Sequence, residues 1–195
     1  MVLASHIVMT CYGFWLPNDP RGSWSDFVRC WELYWFGGPA TKTTERRSVA
    51  GAAHDHAFRR AMKSKLMYRP VAFTGGQALC VARGFARAIG ESGYQVLACA
   101  ILPSHAHLVV KRHRWPSERI AGHLKARATQ ALVADGVHPF VEHRGPDGRF
   151  PSVWARRAWK VFLDTPEAIA RAVRYVQENP LKENKRPQAW SFVTV

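Results

Sequence analysis

A chain of 195 residues, 47% of them hydrophobic and 12% aromatic, carries enough apolar surface for one packed domain and excludes a disordered or fibrous protein. Lysine and arginine number 28 against 14 acidic residues, a formal charge of +14, and a basic, aromatic-rich domain of this kind points to nucleic acid as its partner. No apolar run approaches the roughly 20 residues that span a bilayer, and the start Met1-Val-Leu-Ala-Ser-His6 lacks the pattern of a secretory leader, so a cytoplasmic protein without membrane contact is expected.

In chain order, Val2–Tyr12 is apolar and β-rich, a first core strand, and Gly13-Phe-Trp-Leu-Pro-Asn-Asp-Pro-Arg-Gly22 breaks it with turn residues. From 23 to 70 the texture changes, and this segment reads as an insertion within a single domain, 1–195. Trp24, Trp31, Tyr34, Trp35 and Phe36 cluster in it; they could stack on unpaired bases or form the insertion's own small core. Further on, Phe58, Met62 and Leu66 fall at four-residue spacing with Arg59, Arg60, Lys63 and Lys65 off that stripe, the pattern of a short basic amphipathic helix. A longer helix is expected over Gln77–Ile89, with Leu79, Ala82, Ala86 and Ile89 inward, Arg83 and Arg87 outward, and Gly90 and Gly93 ending it.

Gln95–Leu102 and His105–Lys111 read as antiparallel strands about a Pro103-Ser104 turn. Pro116–Val133 is helical, with Ile120, Leu124 and Leu132 on one side and Arg119, Lys125 and Arg127 elsewhere. Asp135–Pro151 is loop, and Trp159–Leu163 a short strand. Thr165 suits the N-cap of a last helix, Pro166 its first position and Glu167 the positive end of its dipole; the helix is expected to stop at Asn179-Pro180, because proline disfavours helical geometry in the residue before it. A hairpin interrupted by helices gives an α+β class, an antiparallel sheet packed by helices. The four cysteines, Cys11, Cys30, Cys80 and Cys99, form no Cys-x-x-Cys pair and read as buried thiols of a reducing compartment.

Chemistry concentrates at two places. His105 and His107 stand two apart on a strand, so both imidazoles point to one face. Alone, the pair reads as hydrogen-bonded structural histidines, though it also makes half of a metal site. On the last helix, Ile169, Ala172, Val173 and Val176 define the buried stripe, while Tyr175 and Asn179 lie together off its centre, one turn apart. A phenol can be a nucleophile and an amide oxygen a hard metal ligand. Alone, this pair reads as a boundary tyrosine and a capping asparagine.

Ile101-Leu-Pro-Ser-His-Ala-His-Leu-Val-Val110 resembles the His-hydrophobe-His motif of the HUH superfamily, and Tyr175-Val-Gln-Glu-Asn-Pro-Leu-Lys182 resembles the Tyr-x-x-x-Asn-Pro-(Val/Leu)-Lys signature of its single-tyrosine transposases. The branch is that of the REP-associated tyrosine transposases, related to transposases of small insertion sequences, and Tyr12–Gly22 resembles a run found in one transposase subgroup. The tyrosine follows the histidines here, whereas relaxases place it ahead and use a third histidine. Ala106 is smaller than the usual central residue of the motif, and 23–70 exceeds what a minimal member needs. The resemblance implies a ferredoxin-like HUH fold. It implies that His105, His107 and Asn179 hold Mg²⁺ or Mn²⁺. It implies that Tyr175 attacks phosphorus to give a 5′-phosphotyrosine and a free 3′-OH, the metal-dependent nicking and strand transfer of a transposase on single-stranded or hairpin DNA. A monomer is preferred, as in repeat-associated members, and a homodimer stays open.

Lys125, Arg127, Arg83, Arg87, Arg59, Arg60 and Lys63 are the candidate phosphate contacts, with solvated surface as the alternative for any one of them. His54-Asp-His56 repeats the His-x-His pattern in a polar stretch and reads as an exposed or capping segment; His113, His123, His138 and His143 read as structural. Two other functions compete: a domesticated DNA-binding protein of the same fold that no longer cleaves, and an unrelated zinc hydrolase, which lacks a third strong ligand and leaves the charge unexplained.

Overall fold

The structure is a computed structural model that describes residues 1–45 and 48–194; Arg46, Arg47 and Val195, which fall within the segments 23–70 and 1–195 delimited above, lie outside the described residues. Its elements run β1 (Ala4–Thr10), α1 (Trp31–Gly37), α2 (His56–Ser64), α3 (Gly75–Ser92), β2 (Val96–Ile101), β3 (His105–Lys111), α4 (Ser117–Ala134), β4 (Trp159–Leu163) and α5 (Pro166–Lys182). Two compact units emerge: Met1–Cys11 together with the chain from Ala72 onward, and Tyr12–Val71.

The first unit holds a four-stranded sheet in the order β2-β3-β1-β4, every pairing antiparallel. With α3 and α4 as the helices, the order β-α-β-β-α-β in that arrangement is the ferredoxin-like pattern, so the fold is α+β as the sequence indicates. Residues opposite one another in register share a face. On one face Ala4, Ala98, Ala100, Val109 and Leu163 pack against Ala172 and Val176 of α5. On the other face lie the buried Ile7, Met9 and Leu108, and Ser117 of α4 donates to Ser5 Oγ at 3.0 Å. The tail closes the β2 edge: Gln188 exchanges two hydrogen bonds of 2.8 Å with the Ile101 backbone, and the Thr194 amide donates to the Val96 carbonyl. Pairing an edge strand in this way removes its open ladder.

Three expectations are corrected. Helix α3 starts before Gln77, at Gly75, because Thr74 and Gln77 form a capping box, and it runs through Gly90 to a left-handed Gly93. Its buried face is Cys80, Val81, Ala82, Gly84, Phe85 and Ala88, while Leu79 is 57% exposed, so the inward stripe is rotated from the one expected. Gly84 is the reason: a Cβ there would stand 2.5 Å from the Ala128 Cα of α4, so the bare backbone carries the helix contact. Helix α5 does not stop at Asn179-Pro180 but continues to Lys182. Asn179 and Pro180 are buried, and the Pro180 carbonyl accepts from the amides of Glu183 and Lys185, contacts that outweigh the local bias before proline.

The second unit spans Tyr12–Val71, and Leu16, Asn18 and Asp19 are buried within it. Its core is Leu16, Leu33 and Met62, with Val28, Cys30 and Leu66 against them. The aromatic cluster is not that core: Trp31 is 70% and Trp35 79% exposed. Asn18 Nδ2 donates to the carbonyls of Leu33 and Gly38, and the buried Asp19 carboxylate accepts from Arg21 and Arg59. Burial pushes the Asp19 carboxyl up, but the hydrogen bonds and charge of Arg21 and the hydrogen bond of Arg59 hold it below its ordinary value. Among the described residues, no helix is long and apolar enough to cross a membrane.

Candidate active site

The strand alternation of β3 turns His105 and His107 to the face that α5 covers, where both are buried and their ring centroids lie 4.8 Å apart. Each Nδ1 is occupied locally: that of His105 shares a 3.1 Å hydrogen bond with Ser104 Oγ, and that of His107 a 3.0 Å bond with His6 Nε2. His6 was not among the residues singled out by the sequence. It stands on β1 opposite Val109, two pairs along from the Val8–His107 pair, so it reaches His107 diagonally on the same face. The alternation Ala4, His6, Val8 on a core strand was the signal that could have found it.

Burial lowers His6 and His105 from the ordinary 6.5 to about 4, and lowers His107 to about 2 with help from the neighbouring His105 and His6. All three imidazoles are therefore neutral at pH 7, and a neutral imidazole carries one nitrogen lone pair.

Helix α5 supplies the rest. The Thr165 side chain caps it by accepting from the Ala168 amide, Pro166 opens it, and Ala172 and Val176 press it onto the sheet. This docking sets Tyr175 with its ring 5.7 Å from that of His107 and 5.8 Å from that of His6, both edge-on. Tyr175 is 44% exposed, so its face of the helix is open to solvent, and Lys182 Nζ stands 4.6 Å from its ring centroid. One turn on, Asn179 is buried. Of the four residues expected to form the site, His105, His107 and Tyr175 thus come together between β3 and α5, and Asn179 is buried one turn further along the helix.

Two buried polar atoms in this group, His107 Nε2 and Asn179 Nδ2, have no hydrogen-bond partner among the described residues. Orphaned atoms of this kind are costly inside a protein unless something polar meets them. A half-turn of the amide exchanges its nitrogen for its oxygen at that position, so an imidazole nitrogen and an amide oxygen are available to a cation. The donor set fits a divalent ion of intermediate hardness. Among the described residues, no three His, Cys, Asp or Glu side chains cluster as a metal site by themselves, so a site here needs the Asn179 amide.

The basic residues marked as phosphate contacts are largely engaged within the protein. Arg59 binds Asp19 and the Phe14 carbonyl, Arg83 pairs with Asp135, Arg87 and Arg127 both bind Glu91, and Lys125 Nζ donates to the carbonyls of Ala155 and Arg157. Burial lowers Lys125 and Lys63 to about 8, and Lys63 is half-buried near the Phe14 ring. Arg60 remains exposed. The exposed cations that share a helix with Tyr175 are Arg171, Arg174 and Lys182, which the sequence reading passed over in favour of other helices. Of the remaining histidines, His54 and His56 flank Asp55, which caps α2 through the Phe58 amide, as a capping segment should.

No protein-family model matches the chain, and no curated protein matches it. Among solved structures, the chain is similar to one described as the REP associates tyrosine transposase bound to a REP hairpin, with 11% identity over 93% of this chain and 68% of that one and a TM-score of 0.47. A likeness of that size carries no argument about activity, which is drawn instead from the site.

Proposed function

We propose that the protein is a metal-dependent single-strand DNA endonuclease and strand transferase of the single-tyrosine transposase type, acting at hairpin-associated DNA ends. The observation that carries this reading is the convergence of an accessible phenol, Tyr175, on the neutral imidazole of His107 whose Nε2 is buried and unpartnered, with Asn179 one turn away on the same helix. The motif resemblance over Ile101–Val110 and Tyr175–Lys182 supports it.

His105, His107 and Asn179 would hold Mg²⁺ or Mn²⁺. When bound, such an ion supplies Lewis-acid neutralisation of charge on the scissile phosphate. The protein's own groups do the rest. The exposed face of α5 leaves Tyr175 Oη open to a phosphodiester, and Arg171, Arg174 and Lys182 offer positive charge along the same helix. Tyr175 Oη bonds to phosphorus as the P–O3′ bond breaks; the phenol gives up its proton, and the departing 3′ oxygen takes one up. One phosphoester replaces another, so a second 3′-OH can reverse the step and join strands without net hydrolysis. Because Tyr175 lies against His107 of its own chain, attack within a monomer is the favoured arrangement.

The test is incubation with a single-stranded hairpin oligonucleotide and Mg²⁺ or Mn²⁺. A DNA–protein adduct that survives SDS and vanishes in Tyr175→Phe is expected. Cleavage that persists in Tyr175→Phe contradicts the assigned nucleophile, and binding without any adduct favours a non-cleaving DNA-binding protein.

A further inference from the structure

The continuation of α5 through Pro180 has a chemical consequence. Tyr175, Asn179 and Glu183 fall at i, i+4 and i+8, and a step of four residues drifts only about 40° around a helix, so the three lie along one side. Glu183 is the C-cap residue, and its position is fixed by hydrogen bonds that the amides of Glu183 and Lys185 donate to the Pro180 carbonyl and that of Asn184 donates to the Leu181 carbonyl. Had the helix stopped at Asn179, Glu183 would have left this line.

Glu183 Oε1 lies 3.9 Å from His105 Nε2. That separation is too long for a hydrogen bond. It is a separation that two donors of one divalent cation could take up, since metal–oxygen and metal–nitrogen bonds run to roughly 2.1 Å. Among the described residues, no lysine or arginine forms an ion pair with Glu183.

We infer that Glu183 is a fourth protein ligand of the divalent-ion site, adding a hard anionic oxygen to His105, His107 and Asn179. The inference rests on the metal-dependent reading above and extends it. Two imidazoles and an amide are neutral donors of modest affinity for Mg²⁺ or Mn²⁺. A carboxylate shifts the preference toward hard cations and halves the charge that the site would otherwise leave uncompensated before DNA binds.

Direct binding of Mn²⁺ to the full chain without DNA, read from the loss of the free-ion electron paramagnetic resonance signal, tests it. Glu183→Gln is expected to weaken Mn²⁺ binding about 10- to 100-fold, and Glu183→Asp to restore part of the loss. Thermal unfolding of the metal-free proteins should change little, because Glu183 is the C-cap residue and, among the described residues, forms no ion pair with a lysine or arginine. Equal Mn²⁺ affinity in wild type and Glu183→Gln, with His105→Ala weakened, overturns the role of Glu183 and leaves the metal site standing. Absence of Mn²⁺ binding by the wild type overturns both.

Discussion

Between His6 Nε2 and His107 Nδ1 lies a 3.0 Å hydrogen bond whose direction decides what His107 can do. If His107 donates, its Nε2 keeps a lone pair and can bind a cation. If His6 donates, His107 Nε2 carries a proton with no acceptor in a buried position, an arrangement that costs about 1–3 kcal/mol. Ligation requires the first tautomer, and His6 is placed to select it. His6→Ala should therefore weaken Mn²⁺ binding and slow adduct formation by about 10- to 100-fold. His6→Gln, whose amide oxygen can accept from Nδ1, should recover part of both; a Gln variant as impaired as Ala would reduce His6 to packing. The same three imidazoles make the metal-free protein acid-sensitive. Their folded pKa values lie below the unfolded value of 6.5, so on acidification the unfolded chain takes up protons first. The stabilisation is complete above about pH 6.5 and is lost toward the folded pKa values, at roughly 1.4 kcal/mol per pH unit for each site in its window. Urea midpoints of the metal-free protein should drop between pH 7 and pH 5; a flat profile would mean that the histidines are not buried as neutral groups.

Elements were legible where periodicity decided them. Strand β3 and strand β4 begin and end where the sequence places them, because short apolar runs bounded by turn residues have few alternatives. The face of α3 was not legible, since a helical wheel ranks apolar residues and gives no weight to a glycine. A glycine in a helix interior costs about 1 kcal/mol against alanine, and Gly84 is tolerated because only a bare Cα lets α3 and α4 meet. Gly84→Ala would place its Cβ 2.5 Å from Ala128 Cα and 2.6 Å from the Arg127 carbonyl oxygen, both backbone, so the helices must separate. The variant should lose about 1–3 kcal/mol to overpacking, more than the helix propensity it gains. A melting temperature raised by this substitution would show that the close approach is not a constraint. The run of α5 past Pro180 was illegible for a related reason: local bias before proline is visible in sequence, whereas the burial of Asn179 that overrides it is tertiary.

At the scale of the whole molecule, the net charge of +14 is plain in the sequence, but how it is deployed is not. Arg83 meets an acid 52 residues away and Arg127 one 36 residues away, pairings that no helical wheel can anticipate. What the sequence did carry was the two halves of the candidate site, because His105 with His107 and Tyr175 with Asn179 are local spacings on a strand and a helix whose geometry is fixed. Their meeting depends on α5 docking across β2 and β3, and His6 and Glu183 join the group only once that docking is known. The account stands most directly on the identity of the covalent bond. Trapping the reaction of a hairpin oligonucleotide with Mn²⁺, digesting the protein and locating the attached nucleotide by mass spectrometry should find a 5′-phosphate on Tyr175 and nothing in Tyr175→Phe. A nucleotide on any other residue, or cleavage with no protein-bound product, would contradict it.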